Sequence, residues 1–219
     1  MSGSWHRNEG YFVHMNTRML TNDLVQKYGK GVLLDVGAGY GRYREMIAPH
    51  VEKYFSSDGF DTRADFIEDS AHLTHADESF DTVLCNQALE HVTEPDQTIR
   101  EMYRVLKKGG YAIATVPFLF PEHKDPTDFR RYTRDGLAQA FTRQGFSVVE
   151  CKGYGNLWTV LSEFVRMGTR NPYKPKRNMF VRKGGHLLSK FFQFLESGSK
   201  DQVSETSIFY PNVYIVAHK

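Results

Sequence analysis

Cysteine is scarce: the 219 residues hold two, Cys85 and Cys151, far apart and each in or beside an apolar run. That excludes a disulfide framework and fits reduced, partly buried thiols in a cytoplasmic protein. No cluster of histidines and cysteines accompanies them, so no metal site is expected. An excess of either charge is also missing. The 28 Lys and Arg against 26 Asp and Glu leave a net +2, which makes no case for a nucleic-acid partner. The longest nearly apolar run, Tyr111 to Phe120, falls well short of the roughly 20 residues of a bilayer span. The stretch Met1 to Gly10 is polar and includes Trp5, His6 and Arg7, so it does not read as a signal peptide. Internal repeats and low-complexity tracts are lacking.

What is present is an ordinary globular composition, 40% apolar and 25% charged, in a length that suits one domain with a sizeable core. Helical spacing marks Thr17 to Tyr28, with Met19, Leu20, Leu24 and Val25 on one face. Gly31 to Val36 reads as a buried strand that runs into a glycine-rich turn, and Gly41 to Ala48 as a helix stopped by Pro49 and His50. Further strands are expected at Lys53–Ser57, Asp65–Glu68, Phe80–Asn86, Tyr111–Val116, Phe146–Cys151 and Asn212–Ala217. Helices are expected at Glu94–Leu106, closed by Lys107 to Gly110, and at Thr133–Arg143, capped by Thr133. Apolar strands alternating with helices describe an α/β domain whose mostly parallel sheet is covered on both faces.

Two stretches break this rhythm. About six residues separate Asp58 from Asp65, too few for a crossover helix. Conversely, Tyr154 to Ser207 is far longer than a hairpin connection needs. The chain therefore divides into an N-terminal helix or lid (1–30), a core (31–153), a helical insertion (154–207) and the core's last strand (208–219).

The strongest local signal is Asp35-Val36-Gly37-Ala38-Gly39-Tyr40-Gly41, directly after the first strand. Glycine at every second position lets the backbone turn sharply and a ligand come close. A dinucleotide site spaces its last glycine one residue further on, so this spacing fits S-adenosyl-L-methionine (SAM) better than a nicotinamide cofactor. A Tyr-x-x-x-Lys pair, which an oxidoreductase reading would use, is absent. The helix after the turn would favour the methionine carboxylate, and Asp35 the ammonium. Asp58, at the end of the second strand, is placed to accept the ribose hydroxyls, with Asp61 the alternative.

Further on, Asp69-Ser70-Ala71-His72-Leu73 precedes Ser79-Phe80-Asp81-Thr82-Val83 and Leu89-Glu90-His91-Val92. With the glycine turn, these runs resemble the type-11 methyltransferases, over about Val32 to Val116. The resemblance implies a class I, three-layer Rossmann-like fold with a seven-stranded sheet, order 3-2-1-4-5-7-6, its last strand antiparallel. It implies that Gly37, Gly39 and Gly41 contact SAM, that Asp58 binds ribose, and that Asp69 meets the adenine amino group with Ser70 or Ala71 at the ring. Asn86 and Gln87 would lie by the methionine part, and Glu90 and His91 would order their loop. The product would be S-adenosyl-L-homocysteine.

The acceptor is sought in the loop after the fifth strand, Pro117 to Thr133, which is dense in His, Asp, Arg and Tyr. Similar loops occur in methyltransferases found near glycan and cell-surface biosynthesis. His123 suits a general base because an unperturbed imidazole titrates near neutrality. Asp128 would orient it, while Arg130 and Arg131, with Tyr132, would hold an anionic acceptor. The competing reading is that Asp128 pairs with an arginine and simply locks the loop. The expected reaction is methyl transfer to an oxygen of a small-molecule or glycan-like acceptor. Nitrogen and carbon acceptors, and a non-catalytic SAM-fold binding module, remain open alternatives.

In the insertion, Leu157, Leu161, Phe164 and Val165 form one apolar helical stripe and Leu187, Leu188, Phe191, Phe192 and Leu195 another. The basic, proline-broken link Arg170 to Arg177 joins them. An acceptor lid or homodimer surface is one expectation. Peripheral contact with the inner membrane face, aromatic residues at the interface and lysines near anionic headgroups, is the other.

Overall fold

The computed structural model describes residues 12–123, 127–170, 179–197, 203–204 and 207–219. The segment around Trp5 and the basic link from Asn171 to Arg177 lie outside the described residues. Eight strands form one sheet: β1 (Val32–Val36), β2 (Lys53–Asp58), β3 (Phe66–Ile67), β4 (Phe80–Asn86), β5 (Leu106–Pro117), β6 (Ser147–Tyr154), β7 (Val203–Ser204) and β8 (Asn212–His218). Their order is β3-β2-β1-β4-β5-β8-β6-β7. The first five strands are parallel, and β8 runs antiparallel to both β5 and β6. Setting aside the two-residue edge strand β7, this is the seven-stranded order 3-2-1-4-5-7-6 expected above.

The apolar strands are buried on both faces because successive side chains point to opposite sides. Leu34, Val83, Ala112 and Ile215 face a core closed by α3 (Pro95–Val105) and α4 (Arg134–Arg143), through Ile99, Met102, Leu137 and Phe141. Their neighbours Leu33, Leu84, Ile113 and Val216 face a second core, under α1 (Phe12–Tyr28) and α2 (Arg44–Ile47), through Leu20, Leu24, Val25 and Ile47. These are the three layers. Thr133 caps α4, its Oγ1 accepting the Gly136 amide, as expected.

Two local details differ from expectation, and a third works as expected by an unforeseen route. The helix after the glycine turn begins at Arg44, not Gly41, because Gly41 has φ +71°, a left-handed conformation that cannot start a right-handed helix. Lys107 to Gly110 do not close α3; the chain passes straight from Val105 into β5. The short link from β2 to β3 works because β3 pairs only with Ser57 and Asp58, so the chain need travel back just two residues. Carboxylates replace a helix as its frame: Asp58 Oδ1 accepts the Phe60 and Asp61 amides at 2.8 Å each, and Asp65 Oδ2 accepts the Ser56 amide at 2.8 Å.

The largest difference is in the insertion, which folds as α5 (Leu157–Arg170) packed on α6 (Met179–Ser197). The apolar stripes form, but they do not make the seam. The buried positions are Thr159, Val160, Ser162, Glu163 and Arg166 of α5 and Gly185 and Ser189 of α6, while Phe164, Leu187, Leu188 and Phe191 are exposed. Ser162 and Ser189 share a hydrogen bond of 2.9 Å, and a Cβ on Gly185 would collide with Thr169. Of the expected stripes, Phe192 turns inward enough to stack on Trp158.

Candidate cofactor and acceptor site

Parallel pairing brings the C-terminal ends of β1, β2, β3, β4 and β5 to one edge of the sheet, and the two antiparallel pairings of β8 bring that of β6 to the same edge. The glycine turn after β1, Asp58 at the end of β2 and Asn86 at the end of β4 lie there. The glycine turn leaves β1 with Gly37, Gly39 and Gly41 at φ of +72°, +56° and +71°. The amides of Gly37 and Ala38 donate to Ser57 O at 2.9 and 3.0 Å, and that of Gly39 to Asp58 Oδ2 at 2.9 Å. A Cβ on Gly37 would lie 2.6 Å from Ala88 Cβ, so that glycine serves packing. A Cβ on Gly39 would meet nothing within 4 Å, so that side of the turn is open.

Asp35 lies buried behind the turn, its Oδ2 accepting from the Tyr54 hydroxyl at 2.5 Å. Burial lifts its carboxyl to about 7, against the pull of Tyr54 and Arg44. Taken alone, this makes the fold lose stability as pH rises from the ordinary carboxylate range through about 7. A bound ammonium group would reverse the trend, since it favours the ionised carboxylate and expels the proton. Affinity for S-adenosylhomocysteine should therefore fall by up to about tenfold per pH unit below about 7, and Asp35→Asn should flatten that profile. Calorimetric titrations across this range check it; a wild-type profile as flat as the variant's would remove Asp35 from the ammonium site.

The other expected cofactor residues sit along the same edge. Asp58 ends β2, although its two oxygens already serve the amides of Gly39, Phe60 and Asp61. Asp61 instead pairs with Arg63. Asp69, two residues beyond β3, is exposed and accepts the Ala71 amide at 2.9 Å, and Ser70 Oγ is 3.2 Å from Thr98 Oγ1. Asn86 ends β4, and Gln87 just after it takes a left-handed φ of +52°, costly for a side-chain-bearing residue and a mark of a constrained site. The expected helix dipole is small here, because α2 is a single turn of four residues.

Sequence reading missed a buried polar network that joins this edge to α1. Asn86 Oδ1 accepts from Thr21 Oγ1 at 3.1 Å and from Thr115 Oγ1, while Asn212 Nδ2 donates to Thr17 Oγ1 at 3.3 Å. The signal was available as polar residues interrupting apolar runs, such as Thr115 within Tyr111–Val116. Asn86 Nδ2 and Ser57 Oγ are buried without a partner. Orphaned donors are rare in folded interiors, and these flank the glycine turn. The open space at Gly39, a buried acid suited to an ammonium and these orphaned atoms together fit an amino-acid-bearing nucleoside.

The loop after β5 closes over the neighbouring part of the edge. Asp128, its side chain almost fully buried, accepts the His123 amide at 2.9 Å and both terminal nitrogens of Arg131. Arg131 also donates to Phe120 O and Pro121 O, and Arg130 to Leu89 O, Val92 O and Thr93 O. Both guanidinium groups are thus engaged with the protein. Tyr132 is half-buried against the α3–α4 core. His123 Nδ1 lies 3.2 Å from Asp128 Oδ2 at an angle that makes no hydrogen bond. Burial, then the nearby His91, lowers its pKa, so the ring is neutral at pH 7. The His91 and His123 rings meet edge to face at 5.1 Å.

Beside them stands Glu90, fully buried, with neither carboxylate oxygen hydrogen-bonded, and burial raises it to about 8. His91 Nδ1 contacts Thr127 O, which leaves Nε2 turned toward Glu90 at 3.6 Å. Glu90, His91 and His123 each bring one donor atom within 4.8 Å of the others, a spacing that a divalent ion could bridge. No metal cluster was expected from the sequence, because 32 residues separate His91 from His123 and only the fold joins them.

Comparison with known proteins places this arrangement. Residues 34–114 match the family model for a methyltransferase domain, type 11, a span that takes in the glycine turn, Asp58, Asp69 and the Glu90 loop. Over that span the chain is similar to SAM-dependent, class I methyltransferases. That match covers 81 of the 219 residues. The chain is 27% identical over 192 residues to the ubiquinone/menaquinone biosynthesis C-methyltransferase UbiE of Hahella chejuensis, covering 81% of this chain and 68% of that one. Other curated relatives match over less than half of their own length. Among solved structures, the [4+2]-cyclase SpnF superposes with a TM-score of 0.62 at 20% identity, over 99% of this chain and 86% of that one. A Haemonchus contortus phosphoethanolamine N-methyltransferase in complex with S-adenosylhomocysteine superposes with a TM-score of 0.55 at 15% identity, over 91% and 52%. At such identities the likeness shows the fold, and a fold alone does not fix the chemistry.

Proposed function

We propose that this chain transfers a methyl group from SAM, by in-line displacement, to an oxygen of a small-molecule or glycan-like acceptor, and releases S-adenosyl-L-homocysteine. The observation that carries the cofactor reading is the open glycine turn at Gly39 with a buried acid, Asp35, behind it and Asp58 and Asp69 on neighbouring strand tips. When bound, SAM supplies an already activated methyl group. The protein's part is to align the acceptor and exclude water.

On this reading Asp35 holds the ammonium, Asp58 shares its carboxylate between the turn and the ribose, Asp69 and Ser70 border the adenine, and Asn86 and Gln87 border the methionine part. His123, neutral and beside that edge, removes the acceptor proton. Arg130 and Arg131 act as positioning residues, because Arg130 ties the His123 loop to the Glu90 loop and Arg131 holds the His123 loop to itself; contact with the acceptor then falls to Tyr132 and the histidines. The name of the UbiE relative keeps methylation of carbon as the second reading.

Incubation with methyl-labelled SAM and a panel of hydroxyl, amine and carbon acids, followed by NMR of the product, tests the assignment. An O-methyl product with S-adenosylhomocysteine release is expected, and a C- or N-methyl product would replace it. Chelation by EDTA should leave the rate unchanged. A rate lost to EDTA and restored by a divalent ion would give the deprotonation to a metal held by Glu90, His91 and His123.

A further inference from the structure

The α5–α6 hairpin is built with its polar side inward. Its seam is made of small and polar residues, Ser162, Thr169, Gly185 and Ser189, while α6 turns large apolar side chains outward. Leu187 is 72% exposed and Phe191 53%, with Phe180 at 77% and Phe194 at 73%. Positions 180, 187, 191 and 194 fall on one side of a helix, opposite Gly185 and Ser189. Lys183 and Lys190, both exposed and seven residues apart, run beside that stripe. The charge of the helix has one sign: residues 179–195 hold Arg182, Lys183 and Lys190 and no acid.

We infer that the outer face of α6 docks on an anionic lipid bilayer, lying in the interface with its phenylalanines and leucines among the acyl chains and its lysines at the headgroups. No helix among the described residues is long and apolar enough to cross a membrane, so the contact is one of lying on the surface. Charge complementarity selects this occupant. A second copy docked face to face would set Arg182, Lys183 and Lys190 against their own counterparts, which opposes a symmetric dimer through this surface.

The position of the hairpin gives the contact a use. Asn156 caps α5, its Oδ1 accepting the Trp158 amide at 2.9 Å, directly after β6 ends, so the hairpin leaves from the sheet edge that carries the glycine turn. Docking brings the acceptor side of that edge to the headgroups, where an amphiphilic acceptor such as a lipid-linked saccharide resides. Docking itself does not depend on the methyl-transfer reading; only this acceptor class does.

Flotation of the full chain with vesicles tests it. Phosphatidylcholine vesicles containing phosphatidylglycerol should retain about tenfold more protein than phosphatidylcholine alone, and added salt should weaken the retention. Leu187→Gln/Phe191→Gln and Lys183→Glu/Lys190→Glu should each abolish most of it while S-adenosylhomocysteine affinity stays at the wild-type value, which shows that the core is intact. No retention on phosphatidylglycerol vesicles, or retention unchanged in both variants, overturns the inference. So does light scattering that shows a dimer which Leu187→Gln/Phe191→Gln makes monomeric while vesicle binding is absent.

Discussion

Leucine at position 39 should lower the affinity for S-adenosylhomocysteine by about 100-fold or more, equivalent to roughly 3 kcal/mol, while leaving the chain folded. Gly39 has φ +56°, so any side chain there carries a conformational cost of about 1–2 kcal/mol, and the melting temperature should fall by a few degrees. That cost is shared by free and bound protein and does not by itself reduce binding. What reduces binding is the space: a Cβ at this position meets no protein atom within 4 Å, so the leucine would occupy the volume assigned to the ligand. Gly37 makes the control. Its Cβ would strike Ala88, so Gly37→Leu should act chiefly on stability. Calorimetry and thermal melts of the two variants separate these effects; if Gly39→Leu binds like wild type, the open volume beside the turn is not where the cofactor lies.

Replacement of His123 by alanine should cut turnover by about 100- to 10,000-fold, the range of a lost general base, with S-adenosylhomocysteine affinity unchanged. The ring is neutral at pH 7 because burial and His91 disfavour its charged form. It is held between Phe120 and His91 in edge-to-face contacts at 5.3 and 5.1 Å. Asp128 acts differently. It is buried and receives the His123 amide and the Arg131 guanidinium, so Asp128→Asn should lose stability, by about 1–3 kcal/mol for partners left unsatisfied in the interior, together with turnover. Single-turnover assays beside melting curves distinguish the two residues. Full activity in His123→Ala would take the proton transfer away from this side chain.

Much of the fold was legible because the apolar strands are nearly continuous and each is punctuated by a recognisable turn. The glycine turn declared itself by spacing, and Asp58 by its place at a strand end. The length of α2 was not legible, since periodicity cannot show that Gly41 takes a left-handed φ. The two-residue β7 is too short to carry a pattern. Pairs distant in sequence were hidden for a more general reason. Thr21, Asn86 and Thr115 meet, as do His91 and His123, only once β4 and β5 lie side by side. Apolar periodicity in α6 showed which side of the helix is greasy but not which way that side faces, because the direction depends on Gly185 and Ser189 allowing α5 to approach from the other side.

Titration calorimetry of the full chain against S-adenosylhomocysteine, with a nicotinamide dinucleotide as the parallel ligand, addresses the cofactor site itself. Saturable one-to-one binding of the former, weakened by Gly39→Leu, and no heat from the latter is the result that follows from the glycine turn and its flanking acids. Absence of binding by S-adenosylhomocysteine and SAM alike would contradict the assignment of this edge to methyl transfer.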